Sequence, residues 1–356
     1  MNFIQQYVNE TYGPRASEVY EMPLIQYLVK KTGSVKASSK ARGSFANLYA
    51  LYVLIEDYVD KGFMEKKKYA DYEGMMFSDA FKRQRELPFG EKLQNHALNS
   101  RCNDEFRKFF TSLGEVPITR NLETKRYWIN EKLLKKDELH IAKDVLAIID
   151  RYVELKLENF NTFFDACVQH KENYKTDPAT SHDFIVGLLN PMVDARIFEI
   201  VSFCLTKFFY DGKTLIVGES KDTLTEVPVT LYKTGRTNAN DGGIDFIMKP
   251  LGRIFQVTEV LDFKKYFLDI AKVNYFPVTF VVKTELKPEE ATERIMEQAN
   301  ILYPDESVRV KYTACFEEII TIPTLKDYLE TTIKKDKLGD LLDELILQCK
   351  VEYNLE

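Results

Sequence analysis

The sequence offers few of the groups that assemble familiar catalytic centres. Its five cysteines, Cys102, Cys167, Cys204, Cys315 and Cys349, are odd in number and far apart. That spacing suits neither a zinc site nor a dithiol redox pair, and it fits reduced thiols in a cytosolic protein, the compartment expected here. The four histidines, His96, His140, His170 and His182, share no spacing that would serve a metal or a nucleophile and its base. No apolar run reaches the length needed to span a bilayer. The start, MNFIQQYVNETYG, lacks a basic segment leading into an apolar one, so the expectation is an unexported, soluble chain. Internal repeats and low-complexity tracts are absent. So is a basic excess: a formal net charge of −6 argues against a generally cationic coat, while leaving room for a local cationic cleft, because binding responds to the field at the site.

What is present is length and an ordinary apolar share. A chain of 356 residues with 45% apolar residues can bury a sizeable core and is longer than a typical single domain, which predicts two packed domains. From the start to residue 185 the pattern is mostly helical. SFANLYALYVLIEDYVDKGF is almost continuously apolar, and AKDVLAIIDRYVELKLENFNTFFDACVQH repeats apolar positions every three to four residues. Between them VPITRNLETKRYWIN, with Pro117 and the pair Tyr127 and Trp128, reads as a short hairpin or wing. The Pro, Thr and Ser of KTDPATSH mark the boundary. Residues 186–356 then alternate: a helix over 192–210, strands at TLIVG and VPVTLYK, a hairpin, a helix through DFKKYFLDIAKV, the strand PVTFVVKT, a helix opened by Pro288, strands near VRVKYT and EEIITI, and two closing helices. The expected fold is an α/β domain with a central mixed sheet flanked by helices, preceded by a mostly helical domain.

The hairpin, KTGRTNANDGGIDFIMKPLGRIFQVTEV over 233–260, is the most informative stretch. Glycine-rich polar sequence delivers Asp245 onto an apolar strand, where aspartate is disfavoured unless it has a partner or a task. On the next strand Gln256 and Thr258 alternate with Phe255 and Val257, so two polar side chains face the same way beside the aspartate. Hydrolysis of a phosphodiester needs charge neutralisation at phosphorus and an activated water, and magnesium supplies both when carboxylate and carbonyl oxygens hold it. Asp245 is the first choice of anchor, with the Gln256 side-chain oxygen and the Val257 carbonyl completing the protein ligands. Glu199, on the apolar helix segment ARIFEIVSF, is positioned to bend toward the same site. Taken singly, each residue has an ordinary role: the aspartate can tie down a turn, and a strand glutamine is commonly half exposed. It is their combination that points to a site.

That combination resembles the catalytic core of Mrr-like restriction endonucleases, within the wider PD-(D/E)XK nuclease superfamily. The matching residues are Phe198 and Glu199 in a leading helix, then Asp241, Gly242, Gly243, Ile244 and Asp245, then Phe255, Gln256 and Val257, within residues 192 to 285. The resemblance implies a mixed sheet flanked by helices, magnesium held by Asp245 and Gln256, and a metal-supporting role for Glu199. It also implies a restriction-type endonuclease acting on a specific site in double-stranded DNA. One position departs from the pattern: the family's Q-x-K reads Gln256, Val257, Thr258, so the lysine that orients or activates water is missing. A lysine from elsewhere, a metal-bound water that deprotonates unaided, or an inactive site would each account for it. Lys233, Lys249, Lys264 and Lys265 are the nearest cations in sequence. Lys264, at the start of a helix able to fold back over the site, joins Asp245, Gln256, Glu199 and Thr258 in the candidate catalytic set. Glu259 is expected to face away from Gln256.

For DNA contact, Lys36, Lys40 and Arg42 in the small-residue stretch TGSVKASSKARGS, together with Lys233 and Arg236 at the start of the hairpin stretch, are the candidates. Lys30 and Lys31 flank that stretch, and further clusters lie at Lys66, Lys67 and Lys68, at Lys82, Arg83 and Arg85, and at Arg120, Lys125 and Arg126. The expected partners are duplex DNA, a second copy of the chain, and a cognate methyltransferase encoded nearby that protects host sites. The target is either unmodified or methylated DNA. The alternatives are a DNA-binding protein that keeps the nuclease fold without cutting, and an α/β scaffold with no nucleic-acid partner.

Overall fold

The computed structural model describes residues 2–33, 44–65, 68–91, 93, 96–98, 100–235 and 244–353. The chain divides into two compact units, Met1–Asn161 and Thr162–Glu356. The division falls upstream of the expected boundary at 185, inside a single helix, α7. That helix runs Ala142–Asn173 without a compositional break, and its last turn belongs with the second unit: Lys171 donates to the Gly339 carbonyl at 2.9 Å and to Asp343.

The first unit contains α1 (Phe3–Tyr12), α2 (Ala16–Tyr20), α3 (Pro23–Thr32), α4 (Ser44–Asp60), β1 (Met75–Met76), α5 (Phe77–Glu86), α6 (Arg101–Phe109), β2 (Ile118–Asn121), β3 (Arg126–Ile129), β4 (Lys135–Lys136) and β5 (Leu139–His140), with the start of α7. Helix α4 is apolar nearly all round, and Leu48, Leu51, Leu54, Ile55 and Tyr58 are fully buried. Such a helix sits at the centre of its domain rather than on its surface. It packs against α3, α5, α6 and β3. The expected hairpin exists: β2 and β3 pair antiparallel from Ile118 opposite Ile129 to Asn121 opposite Arg126, and β1 adds to the other side of β3, giving the order β1-β3-β2.

The second unit is a mixed α/β layer structure. After α8 (Pro178–Leu188) come α9 (Ala195–Tyr210), the exposed hairpin β6 (Thr214–Val217) and β7 (Thr225–Pro228), then β8 (Thr230–Lys233), β9 (Phe246–Lys249), β10 (Arg253–Thr258), α10 (Phe263–Lys272), β11 (Val278–Val282), α11 (Pro288–Leu302), α12 (Glu306–Thr313), β12 (Phe316–Ile320), α13 (Ile322–Lys334) and α14 (Leu338–Tyr353). The five-stranded sheet has the order β12-β11-β10-β9-β8; β8, β9 and β10 run antiparallel, and β10, β11 and β12 run parallel. Every residue of β11 is buried, as expected of a strand covered on both faces. Two predicted strands are corrected: VPVTLYK divides at Val229 into β7, paired with β6, and β8, the edge of the five-stranded sheet, and VRVKYT forms α12, because Asp305 accepts from the Ser307 and Val308 amides at 2.9 and 3.4 Å and starts a helix there.

The pleat sorts the side chains of the sheet. Ile247 and Ile254, opposite each other, pack into the core formed with Phe263, Tyr266 and Ile270 of α10 and Ala291 and Ile295 of α11. Phe246 and Phe255, also opposite, point the other way, where Phe246 meets Phe203 of α9 with ring centroids 5.2 Å apart. The sheet thus has an α10 face and an α9 face. No helix among the described residues is long and apolar enough to cross a membrane.

Candidate active site on the β9–β10 strand pair

Asp245 lies one residue before β9, yet the ladder continues through it: its amide donates to the Phe255 carbonyl at 2.9 Å, and its carbonyl accepts from the Thr234 amide at 3.0 Å. Phe246 is opposite Phe255, so the Asp245 amide bond to that same residue is one position out of register, as at a β-bulge, with Asp245 and Phe246 both set against Phe255. Gln256 lies on the α10 face by alternation from Ile254. The Asp245 carboxylate reaches along β10 beyond that point, one oxygen accepting from the Val257 amide at 2.6 Å. It closes the ladder where the backbone of β9 has ended, the ordinary turn-fixing role of an aspartate.

Gln256 carries the clearest sign of unfinished chemistry. Its Nε2 donates to the Val257 carbonyl at 3.2 Å, while its Oε1 is buried and has no hydrogen-bond partner among the described residues. A buried acceptor without a donor costs about 1–3 kcal/mol. The expected ligand atoms, the Gln256 amide oxygen and the Val257 carbonyl, therefore lie together beside the Asp245 carboxylate.

Thr258 is fully buried, and its hydroxyl accepts from Lys265 Nζ at 2.7 Å. Lys265 comes from the first turns of α10, which Asp262 caps by accepting from the Lys264 amide at 3.0 Å, and which is anchored by buried Phe263, Tyr266 and Ile270. A cation is thus brought by α10 to the strand position where the sequence has threonine. The neighbour Lys264, the sequence-based choice, has an exposed side chain.

The α9 face holds the other candidates. Glu199, 4% exposed, pairs with Lys233 at 3.1 Å, and Lys233 also lies 3.8 Å from Glu352 of α14. Lys233 is opposite Phe246, so its side chain is directed to the α9 face, away from Gln256. Lys233 thus belongs to an internal ion pair rather than to a DNA-facing surface; its side chain is only 10% exposed. Glu259 likewise faces the α9 side. There it pairs with Lys283 at 3.1 Å, and Lys283 also donates to the Val193 carbonyl and lies 5.7 Å from the centre of the Phe198 ring. Of the candidate DNA contacts, Lys36, Lys40, Arg42 and Arg236 lie outside the described residues, as do Asp241, Gly242 and Gly243.

The structure thus gathers Asp245, Gln256, Val257 and Thr258 with Lys265, and sets Glu199 and Lys233 on the opposite face. Among the described residues, no group of three or more His, Cys, Asp or Glu is arranged to hold a metal ion. The oxygen donors gathered at Val257, the Asp245 carboxylate, the Gln256 amide oxygen and the main-chain carbonyl, are of the hard type that magnesium accepts with the rest of its shell filled by water and phosphate. No protein-family model, no curated protein and no solved structure matches the chain.

Proposed function

We infer that the chain is a magnesium-dependent DNA endonuclease of the restriction type, and that the β9–β10 pair is its active site. The observation that carries this reading is the Lys265 ammonium 2.7 Å from Thr258 Oγ1, a cation returned from α10 to the position that the Q-V-T sequence leaves without one. Supporting it are the unpartnered Oε1 of Gln256, the Asp245 carboxylate at the neighbouring Val257 amide, and a mixed sheet flanked by helices of the kind the resemblance implies. Magnesium held by Asp245 and Gln256 would neutralise charge on the scissile phosphate and make a bound water more acidic. Lys265 then orients the attacking water and offsets the developing negative charge, with Thr258 fixing its rotamer. The water oxygen bonds to phosphorus and loses its proton to solvent, the phosphorus–oxygen ester bond breaks, and the departing oxygen takes a proton from solvent water. Cutting both strands calls for two copies of the chain, related by the two-fold axis of a duplex site.

The second reading, a DNA-binding protein that does not cut, is favoured by one observation: an Asp245 oxygen is already committed to the Val257 amide at 2.6 Å. Plasmid incubated with the purified protein separates the two. Cutting that requires magnesium and disappears in Asp245→Ala and in Lys265→Ala supports the enzyme; binding without cutting, or equal cutting by both variants, removes the site assignment. Plasmids prepared with and without methylation decide which form of DNA is the target.

A further inference from the structure

The first unit holds a second arrangement that the strand pair does not explain. Helices α5 and α6 are followed directly by the β2–β3 hairpin, and the sheet of that hairpin is completed by β1, which immediately precedes α5. Helix α6 buries Cys102, Asn103 and Phe106 and exposes Arg101, Asp104, Arg107 and Lys108. Residues 101, 104 and 108 recur at three and four positions, so they form one outward stripe. Its acids are neutralised: Asp104 pairs with Arg107 at 3.0 Å, and Glu105 is drawn inward to Lys31 at 2.9 Å. The hairpin exposes Arg120 and Lys125, and its tip is built rather than loose. Asn121 Oδ1 accepts from the Glu123 and Thr124 amides at 2.9 and 3.1 Å, leaving Leu122 69% exposed at the end. No ion pair among the described residues engages Arg101, Lys108, Arg120 or Lys125.

Helix and hairpin are fastened to each other. Asn103, buried in α6, donates from Nδ2 to the Ile118 carbonyl at 2.7 Å and accepts at Oδ1 from the Ile118 amide at 3.0 Å. Both hydrogen-bonding groups of the first hairpin residue are thus held by one side chain. On the opposite flank, Glu105 accepts from Tyr27 at 2.9 Å, from Lys31 and from Asn47, tying α6 to α3 and α4. A polar, cationic helix held rigidly beside a cationic hairpin with an apolar tip needs little ordering to bind, which favours a stiff, anionic partner with grooves.

We propose that α6 and the β2–β3 hairpin form the surface that reads duplex DNA, with α6 in the major groove, Arg120 and Lys125 on the adjacent backbone, and Leu122 at the neighbouring minor groove. Asn103 is the positioning residue that sets the spacing between the two. The proposal rests on the reading of the chain as a protein that acts on duplex DNA, and it identifies recognition groups on elements remote in sequence from the strand pair.

The test is fluorescence anisotropy of a labelled random-sequence duplex with the full-length protein in EDTA, where cutting is blocked, over a range of salt. The paired substitutions Arg101→Ala with Lys108→Ala, and Arg120→Ala with Lys125→Ala, are at exposed positions. Each is expected to weaken binding about tenfold or more and to flatten the salt dependence by about one unit for each phosphate no longer neutralised. In an Asn103→Ala background that urea unfolding shows to be still folded, the hairpin substitutions should cost less than in the wild type, the coupling expected of a residue that places the hairpin. Wild-type affinity and slope in both paired variants would overturn the proposal, as would no duplex binding by the wild type, or tighter binding to duplex RNA, whose narrow major groove excludes a helix. A protein that binds through these residues but leaves plasmid intact with magnesium overturns the nuclease reading alone; one that cuts while both variants bind normally overturns the surface alone.

Discussion

The two faces of the second unit's sheet treat polar groups in opposite ways. On the α9 face, charges are buried in closed pairs: Glu199 with Lys233, and Glu259 with Lys283, whose ammonium also reaches the Val193 carbonyl. On the α10 face, Gln256 Oε1 is buried with nothing to bond to among the described residues, and Lys265 reaches in toward Thr258. A buried ion pair that is complete contributes to the fold and leaves no capacity for a ligand, whereas an unsatisfied acceptor beside a carboxylate retains it. The difference teaches that two glutamates near a candidate site can be closed into ion pairs while an uncharged amide keeps an unused acceptor.

The strongest way to break this contrast is Asp245→Ala. On the reading above, magnesium-dependent cutting of plasmid falls to background, and duplex binding in EDTA persists. Next in size is Lys265→Ala, expected to slow cutting by about 10²–10³-fold, the range for loss of a group that stabilises developing negative charge, with single-turnover cleavage as the measurement. On the other face, Lys283→Met removes the ammonium paired with Glu259 and should destabilise the unit by about 3–5 kcal/mol, read from urea unfolding; a loss under about 1 kcal/mol would show that this pair contributes little. Gln256→Leu sharpens the comparison because its two readouts diverge. Cutting is lost, yet stability is unchanged or rises by about 1 kcal/mol as an unsatisfied acceptor leaves the interior.

The smallest expected effect is a pH dependence at a paired charge on the surface. His182 bonds to Asp183 at 3.0 Å and to Glu330 of α13 at 2.9 Å. The Asp183 bond, aided by Glu330 and opposed by burial, raises the imidazole above its ordinary value of 6.5. A raised value means that this contribution is complete below about 6.5 and is lost as pH climbs through the raised folded value. His182→Gln should remove a small stability increment at about pH 6 and almost none at about pH 9, measured by thermal unfolding at both.

The site was legible in the sequence to the extent that pleat and register carry it. Alternation placed Gln256 and Thr258 on one face and Glu259 on the other, and an aspartate beside an apolar strand drew attention to Asp245. The choice between Lys264 and Lys265 was not legible. Both lie about 130° around the helix from the stripe of Phe263, Tyr266 and Ile270, on opposite sides of it, and only the direction from which α10 meets β10 decides between them. Lys233 was unreadable for a related reason: its burial follows from facing Phe246 across two strands that 233–245 separates in sequence. The helix α12 escaped because alternating β-branched residues outweighed the Asp305 cap, and the unit boundary escaped because α7 runs through it unmarked.

Trp128 sits in β3, half-buried, with its indole N–H donating to the Tyr72 carbonyl at 2.6 Å and its ring against Gly74, where even a methyl group would come within 2.7 Å of it. It is the only tryptophan in the chain. The protein therefore carries one intrinsic optical reporter, located in the sheet that supports the hairpin, and the second unit is silent in that channel. Emission excited selectively at tryptophan follows the first unit by itself, so its melting, and any change at the hairpin when DNA is added, can be recorded on unlabelled protein without interference from the second unit.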